Sequence, residues 1–140
     1  MYLTQQEMTE RFGETELIQL TDRAIPPAGV VDAAVLTRAL EDAGAEVDAY
    51  LQGRFALPLA AVPMVLKRIA ADMARFRLYE NRATEEVRDR YKNALRDLER
   101  IRDGKINLGL DAAGEASPER GSVGLSAAPR TFSHDTLSDY

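Results

Sequence analysis

Catalysis needs nucleophiles, proton carriers or metal ligands brought together, and this chain of 140 residues holds few of them. It has no cysteine and one histidine, His134. Thiolate nucleophiles, disulfide frameworks and thiolate or imidazole metal clusters are therefore excluded. His134 lies in a stretch without a second imidazole and reads as a solvent-exposed or interface histidine, not as a ligand or general base. Glu46 and Asp48, two apart on an expected helix, point to different faces and make no carboxylate dyad. Gly44, Gly53, Gly104 and Gly109 stand singly, so no phosphate-cradling loop is expected. The chain reads as a non-enzyme without cofactor or metal.

Two charged constellations remain. Asp72 and Arg75, three apart, form either a surface ion pair or, if Asp72 turns into the bundle, a buried carboxylate that holds Arg75 or Tyr79. Arg88, Lys92, Arg96 and Arg100 recur every four residues and share one ridge of a helix. Flanking Glu85, Glu86, Asp89, Asp97 and Glu99 could pair with them in a solvated mixed face. Alternatively the ridge matches an acidic neighbour, which is either the N-terminal half of another copy or nucleic acid. The protein neighbour ranks first, because the net charge is -5 and no aromatic residues interleave with the bases. Charge is also polarised along the chain: residues 1–66 carry -6, residues 67–105 carry +4, and the remainder carries -3. Such polarity suits contacts between unlike faces of successive copies.

The elements that must position these residues are helical wherever apolar spacing is regular. Thr4 and Glu7 have capping-box spacing, and Leu3 and Met8 form a hydrophobic staple for a helix over 5–12. Gly13 breaks it, and a short turn around Leu17, Ile18 and Leu20 leads to a rigid loop over 25–29. Asp32 caps a second, long helix whose stripe runs from Val35 to Leu51 and ends at Gly53. In the proline-bounded loop that follows, Phe55, Leu57 and Leu59 are expected to alternate in extended chain. Pro63 opens a third helix to Tyr79, and Thr84 caps the last helix, which Gly104 stops. The expected fold is all-α: a small antiparallel helical bundle with a proline-bounded loop between the second and third helices and an extended C-terminal arm.

Composition changes after Leu110. Thirteen of the twenty residues from Asp111 to Arg130 are Ala, Gly, Ser or Pro, too few apolar groups to offset ordering entropy. The expected organisation is a helical domain over 1–110, a flexible linker over 111–130 and a docking tip over 131–140. The tip regains Phe132, Leu137 and Tyr140 and reads as an arm that orders on contact, or else as an untethered tail. No apolar run approaches the roughly eighteen residues of a membrane span, and the first residues lack the pattern of a secretory signal.

The run from Asp48 to Leu59, with Val62-Pro63, Asp72-Met73-Ala74-Arg75-Phe76, Arg90-Tyr91, Ala94-Leu95, Leu98, Ile101 and Gly104 to Gly109, resembles the Mu-like phage head-tail adaptor family. Pro129-Arg130-Thr131-Phe132-Ser133 is similar to the family's terminal motif, although His134, Ser138 and Asp139 stand where more basic residues are usual. The resemblance implies a structural virion protein at the head-tail interface, assembled in the host cytoplasm. It would form a ring, commonly of about twelve copies, beneath the portal protein and above a tail-side completion or stopper protein. DNA would pass through without sequence readout, past a lumen that acidic groups of the N-terminal half keep from sticking.

On this reading Arg130, Phe132, Leu137 and Tyr140 form the arm that docks on the portal or a neighbouring subunit. The ridge of Arg88, Lys92, Arg96 and Arg100 lies between subunits. Arg54, Phe55 and Leu57 either contact the tail-side partner or pack over the bundle's own end. The alternative function is a DNA-binding accessory protein that uses the ridge.

Overall fold

The computed structural model describes residues 1–116, and within them the chain folds as α1 (Gln5–Phe12), α2 (Glu14–Thr21), α3 (Ala33–Leu51), α4 (Met64–Tyr79), a 3-10 turn (Glu80–Arg82) and α5 (Glu85–Arg102). The all-α expectation holds. α1 begins as its sequence dictates: the Glu7 amide donates to Thr4 Oγ1 at 3.2 Å, and the Thr4 amide donates to Glu7 Oε2 at 2.7 Å. Leu3 and Met8 are both buried, so the staple reaches the core.

The expected short turn after Gly13 is a two-turn helix, α2. Glu14 and Glu16 lie in its first turn, where the helix dipole favours carboxylates, and Leu17, Leu20 and Thr21 are buried beneath it. Gly13, at φ 89°, makes the sharp link between α1 and α2 that an L side chain would strain. The proline loop is held by Asp22, whose carboxylate accepts from the amides of Ala24, Ala28 and Gly29. The strongest of these bonds, from Gly29 and Ala28, hold the Asp22 carboxyl below the usual carboxylate range.

Asp32 caps α3 by accepting from Ala34 and Val35. The core beneath α3, α4 and α5 contains Leu36, Leu40, Val47, Leu51, Leu66, Ile69, Met73, Leu78, Leu98 and Ile101, each nearly free of solvent contact. α4 packs along both α3 and α5. Its pairs with α5 run in opposite order along the two helices: Arg68 meets Asp97, Asp72 faces Arg90, and Arg75 faces Glu86. That order is antiparallel, as the short connection requires. Phe76 and Tyr91 stack across the same seam, with ring centroids 4.1 Å apart.

Two segments differ from their sequence reading. The loop after α3 is a series of turns, not an extended strand: the amides of Arg54 and Phe55 both bond the Leu51 carbonyl, which folds Phe55 back under the helix end. Residues 111–116, which composition assigns to the linker, form a turn. The Ala56 amide bonds the Ala112 carbonyl at 2.8 Å, and Leu110 pairs with Ala116 in an isolated antiparallel bridge. Gly114, at φ 79°, is buried in this turn, where a Cβ would come within 3.0 Å of the Ala56 carbonyl oxygen. The turn is ordered by what it packs against, a contact that local composition does not encode.

Candidate contact surfaces

The acidic half of the chain divides its carboxylates: Glu7, Glu16, Asp22, Glu46 and Asp48 are half-buried, whereas Glu10, Glu14, Asp32, Glu41 and Asp42 are exposed. Glu16 on α2 accepts from Arg75 Nε at 2.8 Å and from the Tyr79 hydroxyl at 2.7 Å. Arg75 also lies over the Phe12 ring at 4.8 Å, so one guanidinium ties α1 and α2 to α4. Glu46 on α3 accepts from the Tyr91 hydroxyl at 2.8 Å and from Arg77, which joins α3 to α5 and α4. Asp48 accepts from the Tyr2 hydroxyl. Glu46 and Asp48 thus serve different faces, as their spacing requires. Burial, followed by the bond to Glu46, pushes the Tyr91 hydroxyl up to about 12. Burial and the bond to Glu16 likewise raise Tyr79.

Asp72 is buried, with 7% of its surface exposed, yet it does not pair with Arg75 and does not hold Tyr79. Both readings of that pair are corrected, because Glu16 on the neighbouring α2 helix takes the two donors. The cations nearest Asp72 are Arg68 and Arg90, each 3.7 Å away and each in a closer pair elsewhere: Arg68 with Asp97 at 2.8 Å, Arg90 with Glu86 at 3.1 Å. Asp72 lines an open pocket of about 410 Å³ with Arg11, Phe12, Arg68, Arg90 and Asn93. Desolvation raises its carboxyl above the usual range, and the charges of Arg90, Arg68, Arg75 and Arg11 only partly oppose this.

Arg88, Lys92, Arg96 and Arg100 are all exposed on the outer side of α5. Among the described residues, none of the four has an ion-pair partner within 4.0 Å. Of the flanking acids, Glu86 faces Arg75 and Arg90 and Asp97 takes Arg68, while Glu85, Asp89 and Glu99 are exposed on the same helix. The ridge therefore leaves its four cations in solvent, interleaved with these three exposed acids.

The expected loop contact looks inward. Phe55 is only 6% exposed and belongs to the core, with Leu57 and Leu59 packed against it. The Arg54 guanidinium donates to the Ile101 carbonyl and lies 5.2 Å over the Phe55 ring, a cation at the negative end of α5. Of the two readings of this loop, Phe55 follows the one in which it packs over the bundle's own end, so the contact to a tail-side partner is not what its side chain offers. Folding back at Leu51 is the cause, and an alternation pattern could not reveal it. Arg130, Phe132, Leu137 and Tyr140 lie outside the described residues. Within the described residues no helix is long and apolar enough to cross a membrane.

The fold and its contacts define a small helical bundle tied together by carboxylates that meet arginines and tyrosines of other helices, and comparison with known proteins gives its family. The family model described as Bacteriophage Mu, Gp36 matches residues 2–127. Gene product J of Escherichia phage Mu is 40% identical over 133 residues, 94% of each chain. The Mu-like prophage FluMu protein gp36 of Haemophilus influenzae is 34% identical over 140 residues, which cover 100% of this chain and 98% of the relative. The chain belongs to the Bacteriophage Mu Gp36 family.

Sequence reasoning found the ridge because it lies on one helix at one spacing. It missed the Arg11, Arg68, Arg90 and Asp72 pocket, whose members come from three helices. Only Arg68 and Asp72, four apart on α4, left a local signal.

Proposed function

We propose that the chain is a structural virion protein that acts as a head-tail connector. Copies assemble into a ring beneath the portal protein, join the DNA-filled capsid to the tail-side completion protein, and let DNA pass without reading its sequence. Membership of the Mu Gp36 family supports a phage role. The observation that carries the reading is the exposed ridge of Arg88, Lys92, Arg96 and Arg100, left without ion-pair partners among the described residues in a chain whose first 66 residues carry -6. A basic face on one copy against an acidic face on the next is a heterologous contact, and repeated rotation closes such contacts into a ring. The arm residues Arg130, Phe132, Leu137 and Tyr140 then reach the portal or an adjacent subunit.

The deciding experiment is incorporation into phage heads of a chain carrying Arg88→Gln, Lys92→Gln, Arg96→Gln and Arg100→Gln, with electron microscopy of the neck. The expected result is an unchanged helical circular-dichroism spectrum with loss of the neck ring. Normal incorporation of the variant, or mature particles whose neck lacks the protein, overturns the reading. The same exposed ridge favours one rival, a DNA-binding accessory protein. That rival predicts a steeply salt-dependent gel shift of duplex DNA that the four changes abolish.

A further inference from the structure

The pocket between α1, α4 and α5 contains a group that the bundle itself does not satisfy. Asp72 is more than nine-tenths buried, is aimed into the pocket, and accepts no hydrogen bond within the described residues; its nearest guanidinium nitrogens stand off at 3.7 Å. The pocket is open, so the Asp72 oxygens can be reached from solvent, and a ligand hydroxyl that takes the place of water there keeps the bond to the carboxylate. The same pocket carries three arginines, Arg11, Arg68 and Arg90, with the edge of Phe12. Arg68 and Arg90 are paired with Asp97 and Glu86, but Arg11 makes no ion pair among the described residues, and three arginines against one carboxylate in the lining favour an anion over a cation. The occupant must therefore combine a carboxylate or other anion with a neutral hydrogen-bond donor and some apolar surface. A DNA backbone fits poorly, since its phosphodiesters offer Asp72 acceptors only.

One segment of this chain outside the described residues has that chemistry. Residues 131–140 place Asp135 beside Thr136 and Asp139 beside Ser138, with Phe132 and Leu137 as apolar groups. From Ala116 to Thr131 the extended chain spans at most about 50 Å, enough to reach the surface of an adjoining subunit. We propose that the pocket receives segment 131–140 of a neighbouring copy, with the Asp135 carboxylate on the Arg11, Arg68 and Arg90 guanidinium groups and the Thr136 hydroxyl donating to Asp72. This rests on the reading of the chain as a self-assembling virion part and gives its arm a specific receptor.

The absence of cysteine makes the test clean. A synthetic peptide of residues 129–140 carrying Ser138→Cys, activated as a mixed aromatic disulfide, is offered to the full chain carrying Asn93→Cys at the pocket rim. The control is the full chain carrying Arg100→Cys on the equally exposed basic ridge. Capture by the Asn93→Cys chain is expected about tenfold faster than by the control, because docking raises the local peptide concentration. Arg68→Glu with Arg90→Glu should erase the difference, with circular dichroism checking that the variants stay helical.

Equal capture rates at the two positions overturn the proposal. The full-length chain carrying both Asn93→Cys and Ser138→Cys is then oxidised at high protein concentration. A ladder of linked chains is expected; monomers closed on themselves, or no linked species, overturn the assignment to a neighbouring copy. Peptide capture does not require a ring, so its failure sinks the pocket alone. Particles without the protein in their neck would sink the connector reading and leave peptide capture standing.

Discussion

The carboxylates of α2 and α3 and the cations on the outer side of α5 are opposites in use. Glu16 and Glu46 each accept from a tyrosine and an arginine on other helices, whereas Arg88, Lys92, Arg96 and Arg100 touch no acid among the described residues. The first group converts charge into tertiary order, because a partly buried pair with extra hydrogen bonds resists screening. The second leaves its charge in solvent, where it adds little to folding but projects a field toward partners. On the proposed connector reading, stability and assembly fall to different residues of one small bundle.

The apolar floor beneath both regions sets the scale, so Leu98→Ala, which empties a fully buried site on the inner side of α5, should cost about 2–5 kcal/mol in urea denaturation. Next comes Glu16→Ala. It strands Arg75, whose side chain is only 12% exposed, and removes the Tyr79 partner, for an expected loss of about 2–3 kcal/mol. A loss as small as that of an exposed pair would break the contrast between inward acids and outward bases.

Asp72 sharpens the contrast through pH. Burial raises its folded-state pKa above the unfolded value, so ionising it costs stability at neutral pH, and that cost disappears as pH falls through the raised pKa toward the ordinary carboxylate range. Asp72→Asn should therefore raise Tm at pH 7 and give a smaller gain in acid. Glu7 has the opposite sign. The bond from Lys67, followed by the one from the Thr4 amide, lowers its pKa, so its contribution is present above the usual glutamate range and is lost as pH falls through the lowered value. Thermal melts of Glu7→Gln should show a Tm deficit at neutral pH that shrinks in acid.

The smallest effect on folding is expected on the ridge. Replacing Arg88, Lys92, Arg96 and Arg100 together by glutamine should move stability by only about 1 kcal/mol in either direction, while incorporation into heads is lost. A large drop in Tm would mean that the ridge supports the fold and would erase the division of labour.

Helix starts were legible because their signals are local. Thr4 with Glu7, Asp32 and Thr84 each cap the helix their spacing announced. The stripe through Leu36, Leu40, Val47 and Leu51 also predicted its own burial. Legibility failed where a partner lay far along the chain. Phe55 reads equally as a partner contact or as packing until the chain folds back at Leu51, and residues 111–116 read as linker until Ala112 meets Ala56. Arg75 reads as the mate of Asp72 until α2, which sequence reduced to a turn, brings Glu16 against it.

From the sequence alone follow the helical class, the element order, the lack of thiol and imidazole clusters, and the four-residue ridge, since each depends on neighbours within one or two helical turns. Tertiary structure decided which carboxylate each arginine meets and that Asp72 lies, with no hydrogen-bond donor among the described residues, in a pocket built by three helices. Those outcomes depend on packing between elements, where distance along the chain carries no information about distance in space.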